Sequence, residues 1–197
     1  MKIAALVLAA GQSSRMGFNK LLADVGGKPM IVRTVENISA SQASQVFVVT
    51  GHEATKVELV LKRADVRFIH NKDFASGLAS SVRAGIESLG KFDGALICLG
   101  DMPLVSPFSI NKMIEAFDPA QNRNLVVPVH QGVIGNPVLW GVKYFAELRA
   151  LQGDRGARGI IEKYRELATV IKVGDETIAL DADTPEALAH IKSIVGF

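Results

Sequence analysis

The order of apolar and polar positions along the chain predicts strands that alternate with helices. Apolar, β-branched runs predict strands at 3–8, 45–50, 66–69, 95–99, 125–129, 133–140 and 169–173. Apolar residues with helical spacing predict helices at 30–39, 53–63, 80–89, 110–117, 143–150, 158–164 and 185–195. This alternation is typical of a mostly parallel sheet with helices on both faces. We therefore predict an α/β fold, a three-layer α/β/α Rossmann-like architecture, with an antiparallel excursion near Gly132.

Length and composition limit the domain count and the class of partner. The 197 residues are 48% hydrophobic and 21% charged, which suits one α/β core and is too little chain for two. We therefore predict a single domain over 1–197. The net charge is +2 and no basic run exceeds two residues, so we expect no nucleic-acid partner.

The apolar start of the chain does not predict a membrane segment. The run that begins at Met1 ends at Gly11, which is too short for a bilayer span or a signal-peptide core. We expect a cytoplasmic protein with no membrane partner. The single cysteine, Cys98, lies in an apolar strand, which favours a small core residue over a reactive thiol.

The loop after the first strand has the composition of a phosphate-binding loop. Gly11 allows close backbone approach, Ser13 and Ser14 supply hydroxyl groups, and Arg15 and Lys20 supply positive charge. An ordinary Gly/Ser turn with solvated charges is the alternative. The glycine and lysine spacing fits neither the P-loop nor the dinucleotide-binding fingerprint.

Carboxylates follow one predicted strand and precede the last predicted helix. Asp101 comes directly after the strand 95–99, and Asp181 and Asp183 come just before the helix that begins near Pro185. A carboxylate beside a bound triphosphate suggests Mg²⁺, a hard cation that prefers oxygen ligands. The alternatives are a turn role for Asp101 and support of a helix cap formed by Thr184 for Asp183.

The opening motif resembles that of the nucleotidyltransferases of molybdenum-cofactor maturation, and more narrowly of the cytidylyltransferases among them. The motif reads Leu-Ala-Ala-Gly, then Ser-Arg-Met-Gly, then Lys. The resemblance implies a nucleotide-diphospho-sugar transferase-like fold and a loop that wraps the nucleotide. It assigns nucleotide binding to Leu8, Ala9, Ala10, Gly11, Arg15 and Lys20. Guanylyl-transferring relatives usually have glycine where Ala10 stands, so the resemblance favours CTP over GTP.

Further motifs extend the resemblance over nearly the whole chain. Leu-x-Asp-Met-Pro at Asp101 resembles the metal-binding strand end of the family, and Asp181 resembles its second position near the metal. The resemblance therefore implies Mg²⁺ between Asp101 and Asp181. It implies catalytic roles for Arg15, Lys20 and Asp101. It also implies contacts with base and ribose from Asn71, Gly77, Ser80 and Ser81.

The acceptor side follows the family pattern less closely. The resemblance assigns acceptor binding to Asn136, Pro137, Arg155 and Arg158. Relatives usually carry arginine where this chain has Ile134 and often histidine at Asn136, so a phosphate-binding charge is missing unless Arg155 or Arg158 supplies it.

The resulting prediction is a Mg²⁺-dependent transfer of CMP from CTP to a molybdopterin-type phosphorylated acceptor, with release of pyrophosphate. A molybdoenzyme or its chaperone would receive the product. The alternatives are a GTP-using guanylyltransferase and a sugar- or polyol-phosphate nucleotidyltransferase. A protein of another class, a non-catalytic nucleotide- or cofactor-binding accessory protein, also fits the departure at Ile134.

Overall fold

The computed structural model describes residues 1–153, 156–174 and 176–196. Its strands are β1 Ile3–Ala9, β2 Gln45–Thr50, β3 Arg67–His70, β4 Gly94–Leu99, β5 Leu125–His130, β6 Val133–Ile134, β7 Val138–Gly141 and β8 Thr169–Lys172. Its α-helices are α1 Met30–Ser39, α2 Ala54–Val60, α3 Leu78–Ser88, α4 Pro107–Ala116, α5 Phe145–Arg149, α6 Arg158–Lys163 and α7 Pro185–Val195. No helix in these ranges is long and apolar enough to cross a bilayer.

The strands form one mixed sheet in the order β3-β2-β1-β4-β7-β5-β6, with β8 paired to β5. The pairs β2–β3, β1–β2, β1–β4 and β5–β8 are parallel. The strand β7 runs antiparallel to both β4 and β5, and β6 is antiparallel to β5. The α/β class, the mostly parallel sheet and the antiparallel excursion near Gly132 are therefore confirmed.

Helices cover both faces of the sheet because the strands are apolar on both sides. In β1, Ile3, Ala5 and Val7 pack against α1, α2 and α4, whereas Leu6 and Leu8 pack on the opposite face with α3, α5 and α6. All seven residues of β1 are buried, as expected for the central strand of a doubly covered sheet.

The predicted strand 133–140 is wrong as a single element. The structure divides it into β6 and β7, with Asn136 and Pro137 between them. Pro137 has no N–H to donate to a sheet, and the Asn136 N–H donates to the carbonyl of Ile178 at 2.8 Å. The segment therefore leaves the sheet and packs against the turn Glu176–Ala179.

Helix ends differ from the pattern where local capping decides them. The helix α4 begins at Pro107, three residues before the predicted start, because the Ser106 side chain accepts from the Ser109 N–H. The cap predicted at Thr184 is confirmed, with its hydroxyl accepting from the Ala187 N–H at 3.2 Å.

The strand directions bring the chemically loaded loops to one edge of the sheet. The strands β1, β2 and β4 run parallel, so their C-terminal ends lie together. Since β7 is antiparallel to both β4 and β5, β5 also ends at this edge. Ligands of open α/β sheets bind at that edge.

Candidate active site

A cleft of about 1400 Å³, its open mouth included, lies at the C-terminal edge of the sheet. Its polar part is lined by Gln12, Ser13, Ser14, Lys20, Asp101, Asp181 and Asp183. Its apolar part is lined by Leu8, Ala10, Leu21, Leu99, Phe74, Ala75 and Leu78, with Gly11, Gly77 and Ser81 between the side chains. One cleft therefore presents both charged and apolar side chains to a ligand.

Hydrogen bonds within the loop after β1 hold its conformation. The Met16 N–H donates to the Ser13 carbonyl at 2.8 Å, and the Lys20 N–H donates to the Ser13 hydroxyl at 3.2 Å. Ser13 has a positive φ of 52°. A Cβ on Gly11 would meet no atom within 4 Å, so protein packing does not require a glycine there. The open space beside Gly11 is on the side where a ligand could approach the backbone.

Lys20 is the central cation of the cleft. Its ammonium donates to Asp101 Oδ2 and, at 2.5 Å, to Asp183 Oδ1. Burial alone would lower the pKa of Lys20, but attraction to Asp101 and Asp183 outweighs it and raises the pKa. The lysine therefore stays protonated and bridges the end of β4 to the segment before α7.

The three carboxylates of the cleft interact electrostatically, and the pKa values of Asp181 and Asp183 are shifted. Burial and then the negative charges of Asp101 and Asp183 raise the pKa of Asp181. Burial would also raise the pKa of Asp183, but its bonds to Lys20 and to Arg15, the latter at 2.9 Å, lower it. The Ala182 N–H donates to the Asp101 carbonyl at 3.3 Å, which ties the two acidic segments together.

The donor set of this cluster fits a hard divalent cation. Asp101, Asp181 and Asp183 supply carboxylate oxygens, which Mg²⁺ and Mn²⁺ accept. Burial, and then repulsion from Asp101 and Asp183, raises the pKa of Asp181, and a bound cation would offset both effects. Within the described residues no three His, Cys, Asp or Glu side chains are already arranged as a metal-binding group, and Lys20 lies between two of the carboxylates.

The predicted base and ribose residues form one buried network. The Asn71 amide, 4% exposed, donates to the hydroxyls of Ser80 at 2.8 Å and Ser81 at 3.1 Å, and its oxygen accepts from the Asp73 N–H at 2.9 Å. Gly77 is the N-cap residue directly before α3 and has a φ of 100°. Gly77 and Ser81 line the cleft, whereas Asn71 and Ser80 are outside its wall. Asn71 and Ser80 therefore hold the segment from Asp73 to Gly77 through hydrogen bonds made outside the cleft wall.

The predicted acceptor residues are not brought together in the same way. The Asn136 backbone contacts the turn that leads to Asp181. Pro137 is buried and lines a small apolar cavity with Cys98 and Met102. Arg158 has an 86% exposed side chain that faces Glu162 at 4.0 Å and is not part of the cleft wall. Arg155 lies outside the described residues.

The family model for the MobA-like NTP transferase domain matches residues 5–169. The chain belongs to this family. It is therefore a nucleotidyltransferase, and the resemblance of the opening motif is confirmed. The matched range contains the loop after β1 and Asp101 and stops before Asp181 and Asp183.

Two similar proteins match nearly the whole chain. The molybdenum cofactor cytidylyltransferase of Escherichia coli is 26% identical, with 92% of this chain and 91% of that protein covered. A nucleotidyl transferase from Methanothermobacter thermautotroptrophicus superimposes with a TM-score of 0.87 at 25% identity, covering 98% of this chain and 97% of its own.

A manganese complex of a mycobacterial protein has the same fold. Rv0371c of Mycobacterium tuberculosis, described as a complex with manganese, superimposes with a TM-score of 0.84 at 22% identity, covering 98% of this chain and 99% of its own. At this identity the likeness shows the fold alone. The predicted nucleotide-diphospho-sugar transferase-like fold is confirmed by these neighbours.

The sequence prediction named Asp183 beside Asp181 but did not assign it to the metal or catalytic residues. The structure assigns the cap to Thr184, which leaves the Asp183 carboxylate to bind Lys20 and Arg15. The Asp-x-Asp spacing was the available signal, because alternate residues of an extended segment point to one side. Phe74, which lines the cleft, was also not predicted, because a single aromatic residue in a loop gives no sequence pattern.

Proposed function

We propose that this nucleotidyltransferase uses a divalent cation, Mg²⁺, to transfer CMP from CTP to a molybdopterin-type phosphorylated acceptor. The observation that carries the proposal is the convergence of Lys20, Arg15 and three carboxylates on the cleft that the loop after β1 borders. Lys20 and Arg15 complement the charge of anionic substrates, and the carboxylates complement the charge of a metal cation. Apolar side chains also line the cleft and would contact a base.

The proposed reaction needs alignment and charge neutralisation rather than a protein nucleophile. A phosphate oxygen of the acceptor attacks the α-phosphorus of CTP, a new P–O bond forms, and the bond to the β-phosphate oxygen breaks. The electron pair leaves with pyrophosphate. When bound, the divalent cation would neutralise charge on the phosphate oxygens. Asp101, with Asp181 or Asp183, would hold it.

The protein's own groups orient the nucleotide in this proposal. Lys20 would exchange its carboxylate partners for phosphate oxygens, and Arg15, with an exposed side chain, is free to move toward the pyrophosphate. Backbone N–H groups near Gly11 would approach the phosphates. Leu8 and Ala10, which line the cleft, would border the nucleoside, and Gly77 and Ser81 would face it across the cleft. The Ala9 side chain is instead buried in the core on the side of α1, so only its backbone would be available to the nucleotide.

The choice of CTP rests on the resemblance at Ala10 and on the E. coli relative. GTP remains the alternative nucleotide. The acceptor is argued from the same relative, while Ile134, 41% exposed on β6, leaves the acceptor side apolar where the family usually has arginine. Sugar- or polyol-phosphates are the alternative acceptors, and a molybdoenzyme or its chaperone is the proposed recipient.

Release of pyrophosphate tests the proposal. Purified protein is incubated with Mg²⁺, CTP or GTP, and each candidate acceptor; we expect pyrophosphate with CTP and the molybdenum cofactor. Asp101→Ala should abolish it. Asp65→Ala, an exposed carboxylate far from the cleft, is the matched control and should retain it. Absence of pyrophosphate with every nucleotide and acceptor, together with nucleotide binding that ignores the cation, would instead identify an accessory protein.

A further inference from the structure

Phe74 is the one aromatic side chain on the cleft wall among the described residues. Phe74 follows β3, whereas Asp101 follows β4, and β2 and β1 lie between these two strands in the sheet. The ring and this carboxylate therefore enter the cleft from opposite sides. A nucleoside triphosphate has a planar apolar end and a charged end, and the cleft has the same division. The charged end belongs with Lys20, so the planar end belongs with Phe74.

Phe74 packs closely against the protein around Gly51 and His52. A Cβ placed on Gly51, at the end of β2, would lie 2.6 Å from the Phe74 Cβ and 2.8 Å from the Ala10 Cβ. Phe74 and Ala10 thus both pack on the same bare piece of backbone. The His52 ring supports Phe74 from another side, with centroids 6.0 Å apart and planes tilted by 52°.

Hydrogen bonds also hold the segment that carries Phe74. Asn71 anchors it through the buried bonds to Ser80, Ser81 and the Asp73 N–H. The Gly77 N–H donates to the Phe74 carbonyl at 3.4 Å. The backbone that carries the half-buried ring is therefore held in place before a ligand binds, so little backbone entropy is lost when a ligand contacts the ring.

We propose that Phe74 is the platform on which the nucleobase stacks, and that Gly51 is required to seat it. This inference rests on the proposed function, because it needs a nucleotide in the cleft. It also assigns the Asn71 network a positioning role, since that network holds the platform rather than the base. Stacking tolerates any base, so selectivity for CTP must come from other groups.

The test compares ligands with and without a base, in the absence of any acceptor. Binding of CTP, GTP and inorganic tripolyphosphate is measured by calorimetry with Mg²⁺ for wild type, Phe74→Ala and Phe74→Tyr. Removing an aromatic platform weakens binding by roughly 5- to 100-fold. We expect that loss for both nucleotides with Phe74→Ala, no change for tripolyphosphate, and near wild-type affinity with Phe74→Tyr.

Phe74→Trp adds a direct reading of contact. The native Trp140 is 1% exposed, so quenching by added CTP beyond that of wild type reports on the new indole. Quenching by CTP but not by tripolyphosphate supports stacking. Phe108→Ala, on the exposed surface of α4, is the matched control and should bind all ligands normally.

Three results would overturn the inference. Unchanged CTP affinity in Phe74→Ala would show that the ring does not contact the base. An equal loss for CTP and tripolyphosphate would show that the substitution disturbs the whole cleft. An unquenched Phe74→Trp protein that still binds CTP would place the base elsewhere. Wild type that binds tripolyphosphate and no nucleotide would instead contradict the proposed function, which is a different outcome.

Discussion

Replacing Lys20 by methionine tests the electrostatic logic of the cleft. Methionine keeps most of the side-chain length and removes the charge. The ammonium of Lys20 contacts Asp101 and Asp183, and the side chains of Lys20 and Asp101 are only 14% and 11% exposed. The substitution leaves three carboxylates in one cleft, with Arg15 the cation still paired to one of them.

The structure sets the sign and size of the effect on stability. Removing one partner of a fully buried ion pair costs about 3–5 kcal/mol. The Asp183 side chain is 37% exposed and water compensates part of its charge, so we expect a loss of about 2 kcal/mol in the free energy of unfolding. Urea unfolding measures it.

Catalysis and cation binding should change in opposite directions. We expect kcat/KM for CTP to fall roughly 100- to 1000-fold, about 3 kcal/mol, because a fixed cation on the phosphates is lost. Without nucleotide, Mn²⁺ should bind at least about fivefold more tightly, equivalent to about 1 kcal/mol, because no ammonium competes for Asp101 and Asp183. Electron paramagnetic resonance of free Mn²⁺ measures that affinity.

The matched control is Lys28→Met, which removes an exposed lysine paired with Glu36 at 2.8 Å. It should leave stability, turnover and Mn²⁺ affinity within error of wild type. If Lys20→Met binds Mn²⁺ with wild-type affinity, the carboxylates that Lys20 contacts are not the cation ligands. If it also turns over normally, the phosphate role of Lys20 is refuted.

Three further predictions concern other parts of the molecule. Burial raises the pKa of the Cys98 thiol, so a thiol reagent should label it only as fast as the protein unfolds; rapid labelling of folded protein would contradict this. Gly51→Ala should lower the free energy of unfolding by about 1–3 kcal/mol, since the new methyl group overlaps Phe74 and Ala10, and an unchanged Tm would refute the packing. Thr184→Ala should cost about 1 kcal/mol of stability through its lost helix cap, measured by urea unfolding, while Thr184→Ser should restore it.

The sequence by itself determined the fold class and the loops that carry the chemistry. Apolar runs such as β1, alternating with amphipathic helical segments, favour a parallel sheet covered on both faces, because that arrangement buries the strands on both sides and the apolar stripe of each helix. The sequence also indicated the loop up to Lys20, the turn at Asp101 and the segment at Asp181 as the candidate site, since glycine, cations and carboxylates stand where strands and helices meet.

Only the tertiary structure decided which of these residues touch. Lys20 and Asp183 are 163 residues apart along the chain, and no local pattern specifies a bond across that distance. Asp183 reaches the cleft because α7 packs through Leu188 and Ile191 against Met16 and Met30, which sets its preceding segment beside the loop after β1.

The same reason explains the roles that local pattern could not supply. Asn71, for which the resemblance implies a contact with base or ribose, is buried and bonded to Ser80 and Ser81, while Phe74, which no motif marks, lines the cleft. Sequence spacing records which groups are available. Their mutual distances, burial and competition for partners come from the packing of segments remote in sequence, and those quantities decide what each group does.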